Sequence, residues 1–252
     1  MKISAENTLL GIKMPNDSKA HILEKIIKSS NERGNFVHVV SLNPEILVAA
    51  TRDSEFKRVI TEAQIKITDG IGVVLASKIL NLPIGDELKG VDLMVDLLSR
   101  ARAGSLRVML IGGGDKVAES IADCQNSLGT EGQFYGLQGI ENIHKPAPKE
   151  EEKIFSIVAD IKPRLVFVSF GSPAQELWIY QHRVQFKGCV CIGVGGAFDF
   201  ISGRVTRAPV FIRKMGLEWL YRLVRQPWRW KRQINLFKFI YLVIQQRLGK
   251  SF

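Results

Sequence analysis

The stretch LRVMLIGGG (106–114) sets the frame for the rest of the chain. Its first six residues form a nearly unbroken apolar run, which fits a strand buried on both faces better than one with a wet side. Gly112, Gly113 and Gly114 then end the run, as where a strand turns sharply into a helix. Asp115 is of a type that caps helices, so a helix is expected from there to about residue 128.

The same unit recurs on both sides. Downstream, LVFVSF (165–170) ends at Gly171-Ser172-Pro173 before a helix over 174–182, and VCIGV (190–194) ends at Gly195-Gly196. Upstream, FVHVVS (36–41) leads through Asn43-Pro44 into a helix reaching residue 60. QIKIT (64–68) ends at Asp69-Gly70 before a helix over 71–80. Further helices are expected over 91–103 and 149–161, with a weaker strand at 133–136. Apolar strands alternating with helices predict a parallel sheet covered on both faces. The expected fold class is α/β, a Rossmann-like, doubly wound, mainly parallel sheet over residues 1–202.

Charge divides the chain at the same place. The net charge is +10 over 252 residues. From Gly203 onward there are twelve Lys or Arg and one acid, Glu218, which leaves 23 basic and 24 acidic residues in 1–202. A near-neutral body and a strongly basic tail point to two parts with different partners. The tail is apolar at helical spacing over 215–224 and 233–248, with Pro227 between, and predicts two amphipathic helices. Arg222, Arg225, Arg229 and Arg232 recur at spacings of three, four and three, and Trp219, Tyr221, Trp228 and Trp230 stand among them. Basic and aromatic residues on such helices suit an anionic membrane surface. The same residue types also bind nucleic acid, but the apolar residues dominate one side, which favours the membrane.

Several classes are excluded or weakened. The N-terminal residues do not read as a secretory signal, and no run of roughly 18 uncharged apolar residues is present. Cys124, Cys189 and Cys191 read as buried reduced thiols. No CxxC pair or HExxH is found, and His21, His38, His144 and His182 are scattered, so no metal site is expected.

Ligands of open α/β sheets bind beyond the carboxyl ends of the strands. Asn43, Asp69, Gly112–Gly114, Gly171–Gln175 and Gly195-Gly196 all fall on that rim. Each glycine could also serve only a tight turn. Asp69 ends a strand before a glycine and a helix, so it could take a proton from a hydroxyl nucleophile or simply cap the helix at Ile71. Gln175 could hydrogen-bond a sugar or stand exposed in a first helical turn. Glu45, Asp92 and Glu176 read as solvated or capping. A dinucleotide fingerprint is incomplete, because the glycine due at position 117 is Val117.

The stretches SLNPEILVAATRDSEF (41–56), ITDGIGVVLASKIL (67–80), GVDLMVDLL (90–98), VMLIGGGDKVAE (108–119), VSFGSPAQELWI (168–179), IGVGGAFDFISGRVTRAP (192–209) and GLEWLYRLVRQPWRWKRQ (216–233) resemble, in number and order, the WecG/TagA/CpsF family of bacterial glycosyltransferases. The resemblance covers almost the whole chain. It implies a cytoplasmic enzyme, peripheral on the inner face of the plasma membrane, that moves a sugar, often of N-acetylmannosamine type, from a UDP-sugar with inversion and without an obligatory metal or other cofactor. The implied acceptor is a polyprenyl-diphosphate-linked saccharide of teichoic acid, common antigen or exopolysaccharide synthesis. The resemblance also implies that residues 203–252 form an appendage closing the active site at the membrane.

By position, Asp69 matches the general base. Ser41 and Asn43 match a Thr/Ser-x-Asn turn lining the pocket, Gln175 a pocket glutamine, and Arg222, Arg229 and Arg232 appendage arginines directed at the diphosphate. Where relatives often read P-E-R-V-x-G, this chain reads GDELKG (85–90), with Glu87 at the usual arginine, which implies either Lys89 as a substitute cation or a different sugar or acceptor, an N-acetylmannosamine-type sugar or another hexose. A homo-oligomer is compatible with the sequence. The rival classes are an NAD(P)-dependent oxidoreductase and a nucleic-acid-binding protein.

Overall fold

The computed structural model describes residues 7–252 except Arg33, Thr130, Gln226, Trp228 and Arg229, and for Lys214, Lys231, Arg232 and Gln233 it describes the backbone alone. The chain opens with a short hairpin, β1 (Thr8–Leu9) and β2 (Ile12–Lys13), and α1 (Lys19–Asn31). There follow β3 (Val37–Leu42), α2 (Pro44–Ala50), α3 (Ser54–Glu62), β4 (Ile65–Thr68), α4 (Ile71–Leu80) and α5 (Gly90–Ala103). The second half continues with β5 (Arg107–Gly112), α6 (Val117–Ser127), β6 (Gln133–Leu137), α7 (Pro148–Ile161), β7 (Leu165–Ser169), α8 (Ala174–Gln181) and β8 (Val190–Gly193). Four helices close it: α9 (Ala197–Ile201), α10 (Val210–Lys214), α11 (Glu218–Arg225) and α12 (Trp230–Arg247).

Strands β3 to β8 form one sheet in the order β4-β3-β8-β7-β5-β6, and every pairing is parallel. This is the Rossmann-like α/β arrangement expected from the apolar runs. The alternation along each strand explains why those runs are unbroken. In β5, Val108 and Leu110 join a core with α1, α5 and α6, while Met109 and Ile111 face α7 and α8. In β7, Leu165 and Phe167 take the first side and Val166 and Val168 the second. Both faces are covered, so both sets are apolar.

A third core lies beside β3. Val40 and Leu42 pack there with α2, α4 and the β1–β2 hairpin, and Phe239, Leu242 and Val243 of α12 are buried among them. The last helix is also tied by polar contacts. The Gln246 side chain accepts from Leu10 N–H at 2.9 Å and donates to the Thr8 carbonyl at 2.9 Å. The expectation of two tail helices separated near Pro227 is met by α11 and α12.

Four expectations need correction. The helix expected through residue 60 is two helices, because the Asp53 side chain accepts from Phe56 N–H at 3.0 Å and starts a new one. Asp115 does not cap α6; Lys116 holds that position at φ 53°, and the Asp115 carbonyl accepts from Arg204. Cys124 is exposed, whereas Cys189 and Cys191 are buried. Glu176 is not solvated, being 1% exposed. The hairpin, α1, α9 and α10 add to the expected elements.

Candidate active site

A cavity of about 630 Å³ opens at the carboxyl ends of β3 and β4, beneath α11 and α12. It falls within the roughly 300–1,000 Å³ usual for small-molecule sites. Asn43, Glu45, Asp69, Glu87, Lys89, Glu218 and Arg222 contribute its polar lining.

Asp69 follows the last residue of β4, and its N–H donates to the Leu42 carbonyl at 2.9 Å. Its side chain does not cap α4. Gly70 occupies the cap position at φ 94° and no side-chain cap bond is made. The carboxyl group instead accepts from the N–H of Gly90, the first residue of α5. Ser41 stands on the same side, since a methyl group built on Gly90 would lie 3.7 Å from Ser41 Oγ and 3.8 Å from Asp69 Oδ2. Enclosure by protein pushes the Asp69 pKa up to about 7, with the negative charge of Glu87 adding to the effect. The Gly90 hydrogen bond and Lys89 pull the other way, and Glu218 raises it slightly. A carboxylate tuned near neutral pH suits proton abstraction from a hydroxyl. Asn43 caps α2, its Oδ1 accepting from Ile46 N–H at 3.0 Å, and this holds it at the cavity edge.

The tail meets the body around one acid. Glu218 takes Lys89 Nζ at 3.0 Å on Oε2 and Arg207 Nε at 3.2 Å on Oε1. Arg207 grips Asp92 at the start of α5 with contacts of 2.5 and 3.0 Å. Lys89 therefore lines the cavity, as expected, but shares its charge with Glu218. Asp92, read as solvated or capping, is an anchor for Arg207. Arg222 lies over the Phe200 ring at 4.4 Å, and a methyl group built on Gly196 would come within 3.0 Å of its Nη2. Of the other arginines carried over by resemblance, Arg229 and the Arg232 side chain lie outside the described residues.

The remaining expected residues gather on the adjoining rim rather than on the cavity wall. Gln175 is 3% exposed, and its side-chain oxygen accepts from Gly171 N–H at 3.2 Å and Gly195 N–H at 3.0 Å. Its amide donates to Glu176 at 2.7 Å. Gln175 thus clamps the loops after β7 and β8, and Ser169 adds a 2.6 Å bond to the Gly195 carbonyl. Burial pushes the Glu176 pKa up to about 7 against the hydrogen bonds from Gln175 and Ser172.

Gly112, Gly113 and Gly114 all have positive φ, and a methyl group on Gly113 would meet Phe198 at 2.7 Å, so this turn accepts no other side chain without movement. Glu218, Arg207 and Glu176 were the residues that sequence reasoning passed over. For Glu218 a signal existed, as the lone acid in a basic tail.

The family model for the glycosyl transferase WecG/TagA/CpsF family matches residues 7–252. Among similar proteins is an N-acetylglucosaminyldiphosphoundecaprenol N-acetyl-beta-D-mannosaminyltransferase of Bacillus spizizenii, 34% identical over 214 residues, covering 84% of this chain and 80% of the relative. The Bacillus subtilis protein of the same name is 32% identical, covering 84% of this chain and 81% of its own length. A Staphylococcus aureus protein of that name is also 32% identical, covering 91% and 87%.

Proposed function

The chain belongs to the WecG/TagA/CpsF family of glycosyltransferases, and from that premise we propose that it moves an N-acetylmannosamine-type sugar from a UDP-sugar onto a polyprenyl-diphosphate-linked N-acetylglucosamine acceptor. The carrying observation is Asp69, a carboxyl group raised to about 7 in a cavity that also holds cationic side chains. The family match lends no support to the oxidoreductase or nucleic-acid readings.

In the proposed step, the acceptor hydroxyl gives its proton to the Asp69 carboxylate while its oxygen attacks the anomeric carbon. The bond from that carbon to the β-phosphate oxygen breaks, and UDP leaves with the electron pair. The configuration inverts. Arg222 and the backbone around Gly195 and Gly196 stand where the departing charge would develop, and fixed donors and cations of this kind stabilise a leaving diphosphate. The glycine turn at 112–114 and the Gln175-clamped loops form the rim on which the nucleotide would rest. Residues 1–202 serve as the catalytic body and 203–252 as the appendage.

The appendage also suggests where the enzyme works. Among the described residues no helix is long and apolar enough to cross a membrane. Phe211, Met215, Val224, Phe237 and Leu248 are exposed on a strongly basic segment. That combination suits peripheral binding to an anionic membrane surface at the inner face of the plasma membrane.

The test is UDP release from the full chain mixed with a panel of UDP-sugars and a short-chain polyprenyl-diphosphate-GlcNAc, with and without EDTA. The expected result is release that needs the acceptor and survives EDTA. Release from no donor, or release indifferent to the acceptor, would overturn the proposal.

A further inference from the structure

Glu87 lies on a segment that the fold pins from two sides. Gly85 N–H donates to the Pro15 carbonyl at 3.0 Å, and the Asp86 side chain accepts from Lys19 N–H at 2.8 Å. On the other side, Leu88 N–H donates to the Thr68 carbonyl at 2.8 Å, and Glu87 itself forms an isolated parallel bridge with Thr68. A methyl group on Gly85 would lie 1.9 Å from the Asp17 carbonyl oxygen, and Leu88 is buried in the core. The backbone of Glu87 is therefore fixed beside the end of β4, where Asp69 follows.

The side chain has no such ties. It lines the cavity with Asp69, and among the described residues it makes no hydrogen bond or ion pair. Two cations share that wall, and neither is paired with it. Lys89 Nζ is held by Glu218 at 3.0 Å and by the Arg213 carbonyl at 3.4 Å. Arg222 lies over the Phe200 ring beside Gly196, on the side where the nucleotide would rest. Asp69 registers the unpaired charge, since Glu87 is second only to burial among the causes that lift its pKa to about 7. The point of transfer is thus bordered by two carboxyl groups that no ion pair among the described residues neutralises.

We propose that Glu87 selects the sugar at this point by charge, admitting an uncharged sugar beside Asp69 and rejecting one that carries a carboxylate. The proposal rests on the transferase reading above and adds the class of sugar that the site takes. An ionised carboxyl group only accepts hydrogen bonds, so the hydroxyl and amide N–H groups of an uncharged sugar suit it. A uronate brings a third negative charge against Asp69 and Glu87 in a partly enclosed site, where salt screens weakly. Repulsion of this kind separates ligands of nearly the same shape. Donor and acceptor sugars meet at Asp69, so the exclusion applies to whichever of them borders Glu87.

The first test is a ratio of kcat/KM values, uncharged sugar over its C6 uronate, measured on the full chain at pH 8, where Asp69 is largely ionised. One arm varies the donor, UDP-N-acetylmannosamine against its uronate. The other varies the terminal GlcNAc of a short-chain polyprenyl-diphosphate acceptor in the same way. The parent should favour the uncharged sugar roughly a hundredfold in the arm whose sugar borders Glu87. Glu87→Gln should lower that ratio about tenfold, and Glu87→Arg should lower it further. Asp123→Asn removes an exposed acid of α6 outside the cavity and should leave the ratio where it stands. A ratio near one in both arms, or one unmoved by both Glu87 variants, sinks the proposal and leaves the transferase reading intact. An equal shift in Asp123→Asn also counts against it, assigning the effect to net charge.

Binding supplies a readout that needs no turnover. Kd is measured by titration calorimetry for both sugar pairs with the parent and Glu87→Arg. Tighter binding of the uncharged member of one pair, with that preference lost in Glu87→Arg, supports the assignment. Equal binding within both pairs defeats the proposal alone, whereas no binding of any uncharged substrate defeats the transferase reading with it.

Discussion

Lys89 Nζ lies 3.0 Å from Oε2 of Glu218, and this contact joins the loop before α5 to the first residue of α11. Glu218 is the only acid among residues 203–252, and its second oxygen holds Arg207. The cavity wall already carries the acids Glu45, Asp69 and Glu87 beside Lys89 and Arg222, and Glu218, placed between Lys89 and Arg207, ties a cation of the body to a cation of the tail. All three side chains are largely shielded from solvent, so the pairs are screened less than surface ones.

Glu218→Gln keeps the shape and removes the charge. The variant should lose about 1–2 kcal/mol of stability. The loss should appear first as faster hydrogen exchange in α11, with lower turnover, because the wall that carries Trp219 and Arg222 loosens. Unchanged exchange in α11 would mean that apolar packing alone seats the helix.

Asp69 yields a prediction with a definite sign. A general base works as the carboxylate, and burial together with Glu87 lifts its pKa to about 7. Activity should therefore climb with pH through about 7 and level off above it. Glu87→Gln removes the second-largest upward push, so the rising limb should move to lower pH. Asp69→Asn should keep UDP-sugar binding and cost about 10²–10⁴ in rate. A pH profile unmoved by Glu87→Gln would show that another group sets the limb.

Glu176 can be tested through stability instead of rate. Its folded pKa of about 7 exceeds the ordinary 4.5. The folded state therefore holds this proton more tightly than the unfolded chain. The stability it contributes is complete below about 4.5 and is lost as pH rises through about 7. The displacement corresponds to roughly 3 kcal/mol at most. Glu176→Gln keeps an acceptor for Gln175 and has no proton to lose. The variant should match the parent near pH 4 and be the more stable at pH 8 in denaturant unfolding. Equal pH dependence of the two proteins would rule out Glu176 as the source.

These residues also show what the sequence could and could not disclose. The bounds of α4 were legible to the residue, because Asp69-Gly70 before it and Asn81 in the left-handed conformation after it are local signals. The apolar runs of β5 and β7 declared a sheet covered on both sides, and Asp69 stood out as a strand end. The break at Asp53 was harder, since α2 and α3 are both apolar in pattern and only the cap separates them. Gln175 and Glu176 were illegible for a different reason. Their state depends on Gly171 and Gly195, which β7 and β8 bring together only on folding. A solvated first-turn acid and a buried one look alike in a single sequence. The apolar part of the cavity wall, Leu75 and Ile79 of α4 with Leu236 and Ile240 of α12, was hidden likewise, because α4 and α12 meet only in the tertiary structure.

The last prediction asks whether the appendage moves as one piece. Phe239 is 2% exposed and packs in the core shared by β3, α2 and α4, while Gln246 is bonded to the N-terminal hairpin. These contacts make α12 a part of the body's packing, whereas α11 has no buried residue and meets the body through Glu218 in its first turn and Arg222 over Phe200. Phe239→Ala should cost about 3–5 kcal/mol, the usual span for a large side chain removed from a core. If α12 belongs to the body, the loss should lower the melting temperature of the whole domain, with exchange rising in α2 and α4 as well as α12. Glu218→Gln should leave α2 and α4 protected. Phe239→Ala raising exchange in α11 and α12 together, with α2 and α4 still protected, would instead make 203–252 a single undocking unit, with its boundary at the start of the tail and not between its two long helices.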